Sequence, residues 1–183
     1  ALIVANKATA ILTKAGLLVT VDQSFSNSPK NANSWGADIF VSIHSNAGGG
    51  HGTETLYVST GGKALAGKVQ NGLLAKLPYQ SRGLKKRTDL YVLNKTNMYA
   101  CLLESVFHDC AKTSGYKGHP PAEAAFLRSV AGQDKIAAGT AAGICAYYGI
   151  SCSGSTPPAK GWIKGVVYKA PDLGDDPGYP ITM

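Results

Sequence analysis

The apolar positions at the start of the chain recur at the interval of an amphipathic helix. One face of such a helix repeats every three to four residues. Apolar side chains follow this interval at Ala1, Val4, Ala5, Ala8, Ile11, Leu12 and Ala15. Gly16 comes next, and glycine favours the end of a helix. The pattern therefore predicts a first helix over residues 1–15.

Five short apolar runs predict strands. Residues 17–21 are rich in β-formers, and residues 38–44 (Asp-Ile-Phe-Val-Ser-Ile-His) are almost continuously apolar. A run without alternation is typical of a strand that is covered on both faces of a sheet. Further strands are predicted over 53–59, where apolar and polar residues alternate, and over 90–93 and 100–104.

Helices are predicted between these strands. Residues 27–35 suggest a loop that enters a short helix ending near Gly36, and apolar residues every four positions predict a helix over 62–76. Pro121 suits the first turn of a long helix that reaches about residue 148. The alternation of helices and buried strands predicts an α/β fold with three α/β/α layers and a mixed, mostly parallel sheet over residues 1–150.

The regular pattern ends after Ile150. Residues 151–160 are rich in Ser, Gly and Pro, which is typical of a linker. Residues 161–183 hold aromatic side chains among Gly and Pro but are too few to form a core of their own. We therefore expect them to be a tail or part of a second module.

The net charge of +7 and the pI near 9.2 favour a polyanionic partner. Nucleic acid and an anionic bacterial wall both qualify. Basic residues are densest over 82–87 (Arg-Gly-Leu-Lys-Lys-Arg), and such a cluster more often forms a solvated face than a binding site. Aromatic residues are not interleaved with it, so we do not expect nucleic-acid binding. No apolar run approaches the ~20 residues that span a bilayer, and nothing indicates an oligomeric state.

The four cysteines lack the Cys-x-x-Cys spacing of a zinc ribbon. Two disulfides are possible in an exported protein, and Cys145 and Cys152 are the pair whose spacing closes most easily. Buried free thiols remain an equal alternative.

Two strand ends carry polar residues, which is where α/β enzymes place their working groups. His44 ends a buried strand before a glycine-rich loop, although a lone histidine there is more often structural. Asn46 either orients that loop or binds substrate, and we take it as a candidate substrate-binding residue. Glu104 directly follows an apolar strand, where a buried charge needs a compensating cation and where a raised pKa suits acid–base chemistry.

Five segments, taken in order, resemble the zinc-dependent N-acetylmuramoyl-L-alanine amidases of bacterial autolysins and phage endolysins. The resemblance covers residues 1–150. The segments are 37–47 (Ala-Asp-Ile-Phe-Val-Ser-Ile-His-Ser-Asn-Ala), 52–57 (Gly-Thr-Glu-Thr-Leu-Tyr), 82–85 (Arg-Gly-Leu-Lys), 90–93 (Leu-Tyr-Val-Leu) and 102–107 (Leu-Leu-Glu-Ser-Val-Phe).

The resemblance implies roles for the two strand-end residues. His44 matches a histidine that binds Zn²⁺, and Glu104 matches the glutamate that acts as general acid–base. The implied reaction is hydrolysis, by zinc-activated water, of the peptidoglycan amide between N-acetylmuramic acid and L-alanine of the stem peptide. The implied location is extracellular, at the cell wall, or phage-encoded with release at lysis. Residues 161–183 would then belong to a wall-binding module.

The zinc site that the resemblance implies is incomplete in this sequence. The family takes two more ligands, a histidine and a glutamate, from before this point, whereas His44 is the first histidine here and Asp22 the first carboxylate. We expect the missing ligands upstream of Ala1. Alternatively they have been removed, or one of three other histidines (His51, His108 or His119) replaces them. The alternative function is a non-catalytic peptidoglycan-binding domain that keeps the amidase fold.

Overall fold

The computed structural model describes residues 1–24, 26–111 and 122–153, together with the backbone of 164–169. Helices and strands alternate along this part of the chain. In order they are α1 (Leu2–Lys14), β1 (Leu18–Asp22), α2 (Ser28–Trp35), β2 (Ile39–Asn46), β3 (Thr53–Tyr57), α3 (Thr60–Leu74), β4 (Ser81–Lys86), α4 (Tyr91–Asn94), β5 (Tyr99–Phe107), α5 (Glu123–Arg128), α6 (Val130–Tyr148) and β6 (Lys164–Lys169).

The strands form a single mixed sheet in the order β1-β6-β2-β5-β3-β4. Only the pairing of β3 with β5 is antiparallel among the described strands, and the other four pairings are parallel. The predicted mixed, mostly parallel sheet is therefore confirmed. Because β3 is antiparallel to its neighbour β5, the carboxyl ends of β2 and β5 lie at the same end of the sheet as the amino ends of β3 and β4.

One face of the sheet is covered by the three long helices α1, α3 and α6, which share the larger hydrophobic core with β2 and β5. Helices α3 and α6 approach so closely that glycines meet backbone. A Cβ atom added at Gly143 would lie 2.5 Å from Cα of Val69, and one added at Gly72 would lie 2.3 Å from the carbonyl oxygen of Gly139. These glycines allow the two helix backbones to pack directly against each other.

The other face is covered by the short helices α2 and α4. A smaller core there joins Ala32 of α2 and Leu93 of α4 to Phe40, Leu56 and Leu102 of the sheet. The predicted three-layer α/β/α fold is thus confirmed. This second layer is thin, since α2 and α4 are only 8 and 4 residues long.

The strand predicted over residues 90–93 is wrong, because this segment contains helix α4. Backbone N–H groups of Leu93 and Asn94 donate to the carbonyl of Leu90, and that of Lys95 donates to Tyr91. Val92 and Leu93, which are adjacent, are both buried. In a run of four apolar residues, periodicity cannot distinguish a buried strand from a buried helical turn.

The single helix predicted over 121–148 is also wrong, because it is interrupted at Ser129. That residue is extended (φ −78°, ψ 145°), and its side chain caps α6 by accepting a hydrogen bond from Gly132 N–H at 3.0 Å. Serine is a preferred residue at this position of a helix. Pro121, the predicted first residue, lies outside the described residues.

Two strands were not predicted. Ser81–Lys86 forms β4 at the edge of the sheet, and Lys164–Lys169 forms β6 between β1 and β2. The second of these lies in the range expected to be a tail or a second module. Most of residues 154–183 lies outside the described part, so that domain division stays a prediction.

Cys145 and Cys152 form a disulfide with a Cα–Cα distance of 5.8 Å. Of the two alternatives that the sequence leaves open for this pair, the structure shows the disulfide, which joins the end of α6 to the segment that follows. Cys101 and Cys110 are buried and are not part of a disulfide. No helix in the described ranges combines the length and apolar character needed to cross a bilayer.

Candidate active site

Three ionisable residues form a row across three neighbouring strands. His44 of β2 is in register with Glu104 of β5, which is in register with Glu54 of β3. Residues directly opposite each other in a sheet share a face. Because Leu102 and Leu56, two positions away along β5 and β3, pack in the smaller core, the row lies on the face covered by the thin α2/α4 layer.

The imidazole of His44 is uncharged at neutral pH. Desolvation by burial lowers its pKa to about 4. A neutral imidazole is the form that binds a metal ion. Strand β5 carries a bulge after Glu104, where its register with β2 shifts. At this bulge, the hydroxyl of Ser105 donates a hydrogen bond to the carbonyl of His44 at 3.0 Å, and this bond supports the strand.

Glu104 is the carboxyl group most perturbed by its surroundings in this row. It is 6% exposed, and burial, reinforced by the negative charge of Glu54, raises its pKa to about 8, while Arg87 acts in the opposite direction. Within the described residues, its Oε2 atom accepts no hydrogen bond. A buried oxygen in this condition is costly unless a proton, a cation or a substrate group satisfies it. Glu104 is thus suited to gain and lose a proton near neutral pH.

Glu54 is ionised, in contrast to its neighbour. Burial alone would raise its pKa, but hydrogen bonds from Lys85 and Arg82 lower it overall. Its Oε2 atom lies 2.7 Å from both Arg82 Nε and Lys85 Nζ, and its Oε1 atom accepts from Asn46 Nδ2 at 2.9 Å. Sequence reasoning missed this residue. A carboxylate inside a run of buried positions was the signal that could have identified it.

Asn46 is buried, and both ends of its side-chain amide are bonded within the chain. Its Nδ2 atom donates to Glu54, and its Oδ1 atom accepts from the backbone N–H of Ala47 at 2.9 Å. The structure therefore gives it an orienting role at the start of the glycine-rich loop. Direct contact with substrate stays a prediction.

Two carboxylates fix the glycine-rich loop that follows β2. Asp109 Oδ2 accepts from the N–H groups of Gly48 and Gly49 at 2.7 and 2.9 Å. The fully buried Glu123 accepts from Gly52 N–H and from Phe107 N–H, both at 2.6 Å. Glu123 was not predicted as a site residue, because its partners lie 71 and 16 positions away. The loop is thereby tied to the end of β5.

The other histidines do not complete a metal site in the described part of the chain. His108 lies beside the loop, with its Nδ1 atom 3.3 Å from Ser45 Oγ. His51 lies in the loop itself, and His119 is outside the described residues. Among residues that are described, no group of three His, Cys, Asp or Glu side chains could hold a metal ion.

Comparison with known proteins places this geometry in a family. The N-acetylmuramoyl-L-alanine amidase family model matches residues 1–146, a range that contains His44, Glu54 and Glu104. The chain belongs to this amidase family. The match confirms the resemblance inferred from the sequence.

Individual amidases and endolysins are similar to the chain. N-acetylmuramoyl-L-alanine amidase CwlM of Bacillus licheniformis is 35% identical over 137 residues, which is 72% of this chain and 50% of the relative. The endolysin of Bacillus phage SPP1 is 34% identical over 156 residues, or 76% of this chain and 54% of the relative. The chain thus spans about half the length of these curated relatives.

A solved catalytic domain has the same fold. The catalytic domain of CwlV, the N-acetylmuramoyl-L-alanine amidase of Bacillus (Paenibacillus) polymyxa var. colistinus, superposes with a TM-score of 0.70 at 28% identity. The superposition covers 81% of this chain and 82% of that domain. The shared fold therefore extends over most of both chains.

Proposed function

We propose that this chain is the catalytic domain of a peptidoglycan hydrolase, which cleaves the amide between N-acetylmuramic acid and L-alanine of the stem peptide. The observation that carries this proposal is the pairing of His44 with Glu104, in register at the carboxyl ends of adjacent strands, within the range that matches the amidase family. The amidases and the endolysin described above support the same reaction.

Glu104 would act as the general acid–base. Its pKa near 8 lets it accept a proton from an attacking water and return that proton to the leaving amine of L-alanine. The row of ionisable residues lies beneath the thin layer of α2 and α4, at the carboxyl ends of β2 and β5 and the amino end of β3. The substrate's amide would bind across these strand ends, next to the loop fixed by Asp109 and Glu123.

The reaction is proposed to depend on zinc, with His44 as one ligand. The neutral imidazole and the adjacent unsatisfied carboxyl oxygen of Glu104 fit a cation, but the described residues alone do not supply a set of three ligands. Any further ligands would come from segments outside the described part. When bound, zinc would polarise the scissile carbonyl and lower the pKa of a bound water towards ~7.

The site of action is proposed to be the cell wall, reached by export or by release at lysis. The net charge of +7 suits an anionic wall. The segment after residue 150 would then link to a wall-binding module.

Replacement of Glu104 by glutamine tests the proposal. We expect the Glu104→Gln variant of the full-length protein to lose at least a hundredfold in the release of stem peptides with a free L-alanine amine from purified peptidoglycan, because general acid–base catalysis contributes about 10²–10⁴-fold. Asp134→Asn, at an exposed carboxylate, is the matched control and should keep full activity. Full activity of Glu104→Gln would exclude the proposed role.

Metal analysis separates the enzyme from the alternative, a non-catalytic peptidoglycan-binding domain. The enzyme should hold one zinc per chain after dialysis against buffer and should lose activity with a chelator and regain it with added zinc. Retention of wall binding, with neither zinc nor peptide release, would favour the binding domain.

A further inference from the structure

The basic cluster over residues 82–87 lies beside the row of ionisable residues. Residues Ser81–Lys86 form β4, which pairs with β3 directly beside Glu54. Two of its cations, Arg82 and Lys85, contact the same oxygen of that buried carboxylate. A third, Arg87, forms a bidentate pair with Asp89. The side chains of Arg82 and Lys85 are exposed, as the sequence predicts for a solvated face, and both also pair with the buried Glu54.

A bulge explains how both cations reach one oxygen. Residues three apart in a regular strand point to opposite faces. In β4, however, Ser81 pairs with Thr53 while Gly83 pairs with Glu54, so Arg82 is an extra residue without a partner in the ladder. The next residue, Gly83, has φ of +82°, a backbone conformation that glycine adopts without steric strain. Such bulges redirect side chains and are frequent next to active sites.

The side chain of Arg82 is fixed in position but only partly covered. Its Nε atom donates to Glu54, and its guanidinium lies 5.0 Å from the centre of the Phe107 ring. It remains 32% exposed, while Glu54 is 8% exposed. The bond to Glu54 uses Nε, so within the described residues the two terminal Nη groups remain for a second, planar partner. Two parallel N–H donors match the two oxygens of a carboxylate.

The local charges also favour an anionic ligand. Glu54 contributes one negative charge, and Arg82 and Lys85 contribute two positive charges, so the cluster carries one positive charge in excess. The pair formed by Arg87 and Asp89 is neutral and does not change this balance. An anionic group of the substrate would balance the excess charge.

We propose that Arg82 is a specificity-determining residue that binds a carboxylate of the stem peptide, next to the amide that is cleaved. This inference rests on the proposed function. Arg82 is two strands away from Glu104 across the sheet, a separation of about 10 Å. An extended peptide covers that distance in about three residues. The carboxylate therefore belongs to one of the first residues of the stem, which leads away from the scissile bond across β3 towards β4.

A pair of defined substrates tests the inference. The two muramoyl peptides are identical except that the carboxylate of the second stem residue is free in one and amidated in the other. The full-length wild-type protein should cleave the free form with a kcat/KM about tenfold to a hundredfold higher, mainly through KM, because a hydrogen-bonded charge pair contributes that much. In Arg82→Gln this preference should fall to about one. Arg82→Lys keeps the charge beside Glu54 but not the planar fork, and should retain only part of the preference.

The ratio of the two kcat/KM values does not depend on how much of a variant is folded, so loss of stability cannot produce the expected result. Lys86→Gln, at an exposed neighbour on the same strand, is the matched control and should keep the wild-type ratio. A wild-type ratio near one, or an unchanged ratio in Arg82→Gln, would overturn the inference.

A binding measurement separates this inference from the proposed function. If the wild-type protein cleaves neither peptide, the proposed function fails, and calorimetric titration of both peptides still tests Arg82. Tighter binding of the free carboxylate that disappears in Arg82→Gln supports the inference. Equal binding of the two peptides contradicts it.

Discussion

Replacement of Glu123 by glutamine should weaken both the fold and the loop beside the site. The carboxylate of Glu123 is fully buried, and each of its oxygens accepts one backbone N–H bond at 2.6 Å, from Gly52 and from Phe107. A glutamine has the same shape, but one of its two oxygens becomes an NH₂ group. That group would face a backbone N–H, so one donor would lose its acceptor in a dry environment.

The expected magnitude follows from these two bonds. A hydrogen bond to a charged group contributes about 1.5–3 kcal/mol, and a buried donor without an acceptor costs about 1–3 kcal/mol. Since one bond is lost and the other loses its charge, we expect the free energy of unfolding to fall by about 3 kcal/mol. Urea unfolding at pH 7 measures this change through the midpoint at constant m-value.

Hydrogen exchange locates the effect. The amide protons of Gly52 and Phe107 should exchange faster in Glu123→Gln under conditions in which those of the central residues of α6 do not. Asp134→Asn, an exposed carboxylate, serves as the control and should change the free energy of unfolding by less than about 0.5 kcal/mol. A loss of less than 1 kcal/mol in Glu123→Gln, or exchange rates unchanged at both amides, would show that the carboxylate does not hold the loop.

Two further predictions concern stability. Gly143→Ala should destabilise the protein by about 2 kcal/mol, because the added Cβ would lie 2.5 Å from Cα of Val69 in helix α3. Gly67→Ala is the control and should be neutral or stabilising by up to about 1 kcal/mol, because its Cβ would lie at an ordinary contact distance of 3.8 Å from Leu84 Cδ1. Equal thermal unfolding midpoints for the two variants would contradict this packing. Glu104 has a folded-state pKa of about 8, above its ordinary value of 4.5, so the folded state retains a proton that the unfolded state has lost, and stability falls as pH rises between those values. In the presence of a chelator, Glu104→Gln should therefore gain stability over the wild type progressively from about pH 5 to pH 8, and a difference that does not vary with pH would contradict the raised pKa.

The layers of the fold were predictable because their signals are local. The continuous apolar run of β2 and the four-residue repeat of α3 each arise within one element, and both elements are found close to their predicted bounds. The signals that failed were short or interrupted. Val92 and Leu93 form one helical turn whose length does not distinguish it from a strand, and Ser129 divides a helix without a proline or glycine at the break.

The site was only partly predictable for a different reason. His44 and Glu104 follow apolar strands, so each stood out in the sequence, and the structure places them in register. Glu54 and Glu123 act through partners that are distant in the sequence, and no spacing rule joins Glu123 to Gly52 or Glu54 to Arg82. Composition alone also does not reveal the bulge in β4 that places Arg82 beside Glu54.

The position of β6 has a consequence for the order in which the molecule can assemble. Strand β6 lies between β1 and β2, although it follows all the other described strands in the sequence. In the described sheet, β1 pairs with β6 alone, so its backbone groups find their partners more than 140 residues later, at Leu18 with Lys164. Loop closure of this length slows folding. Among the described strands, the pairing of β1 with β6 joins the segments that are farthest apart in the sequence, so we expect it to form after the pairings of β2, β3, β4 and β5 with one another.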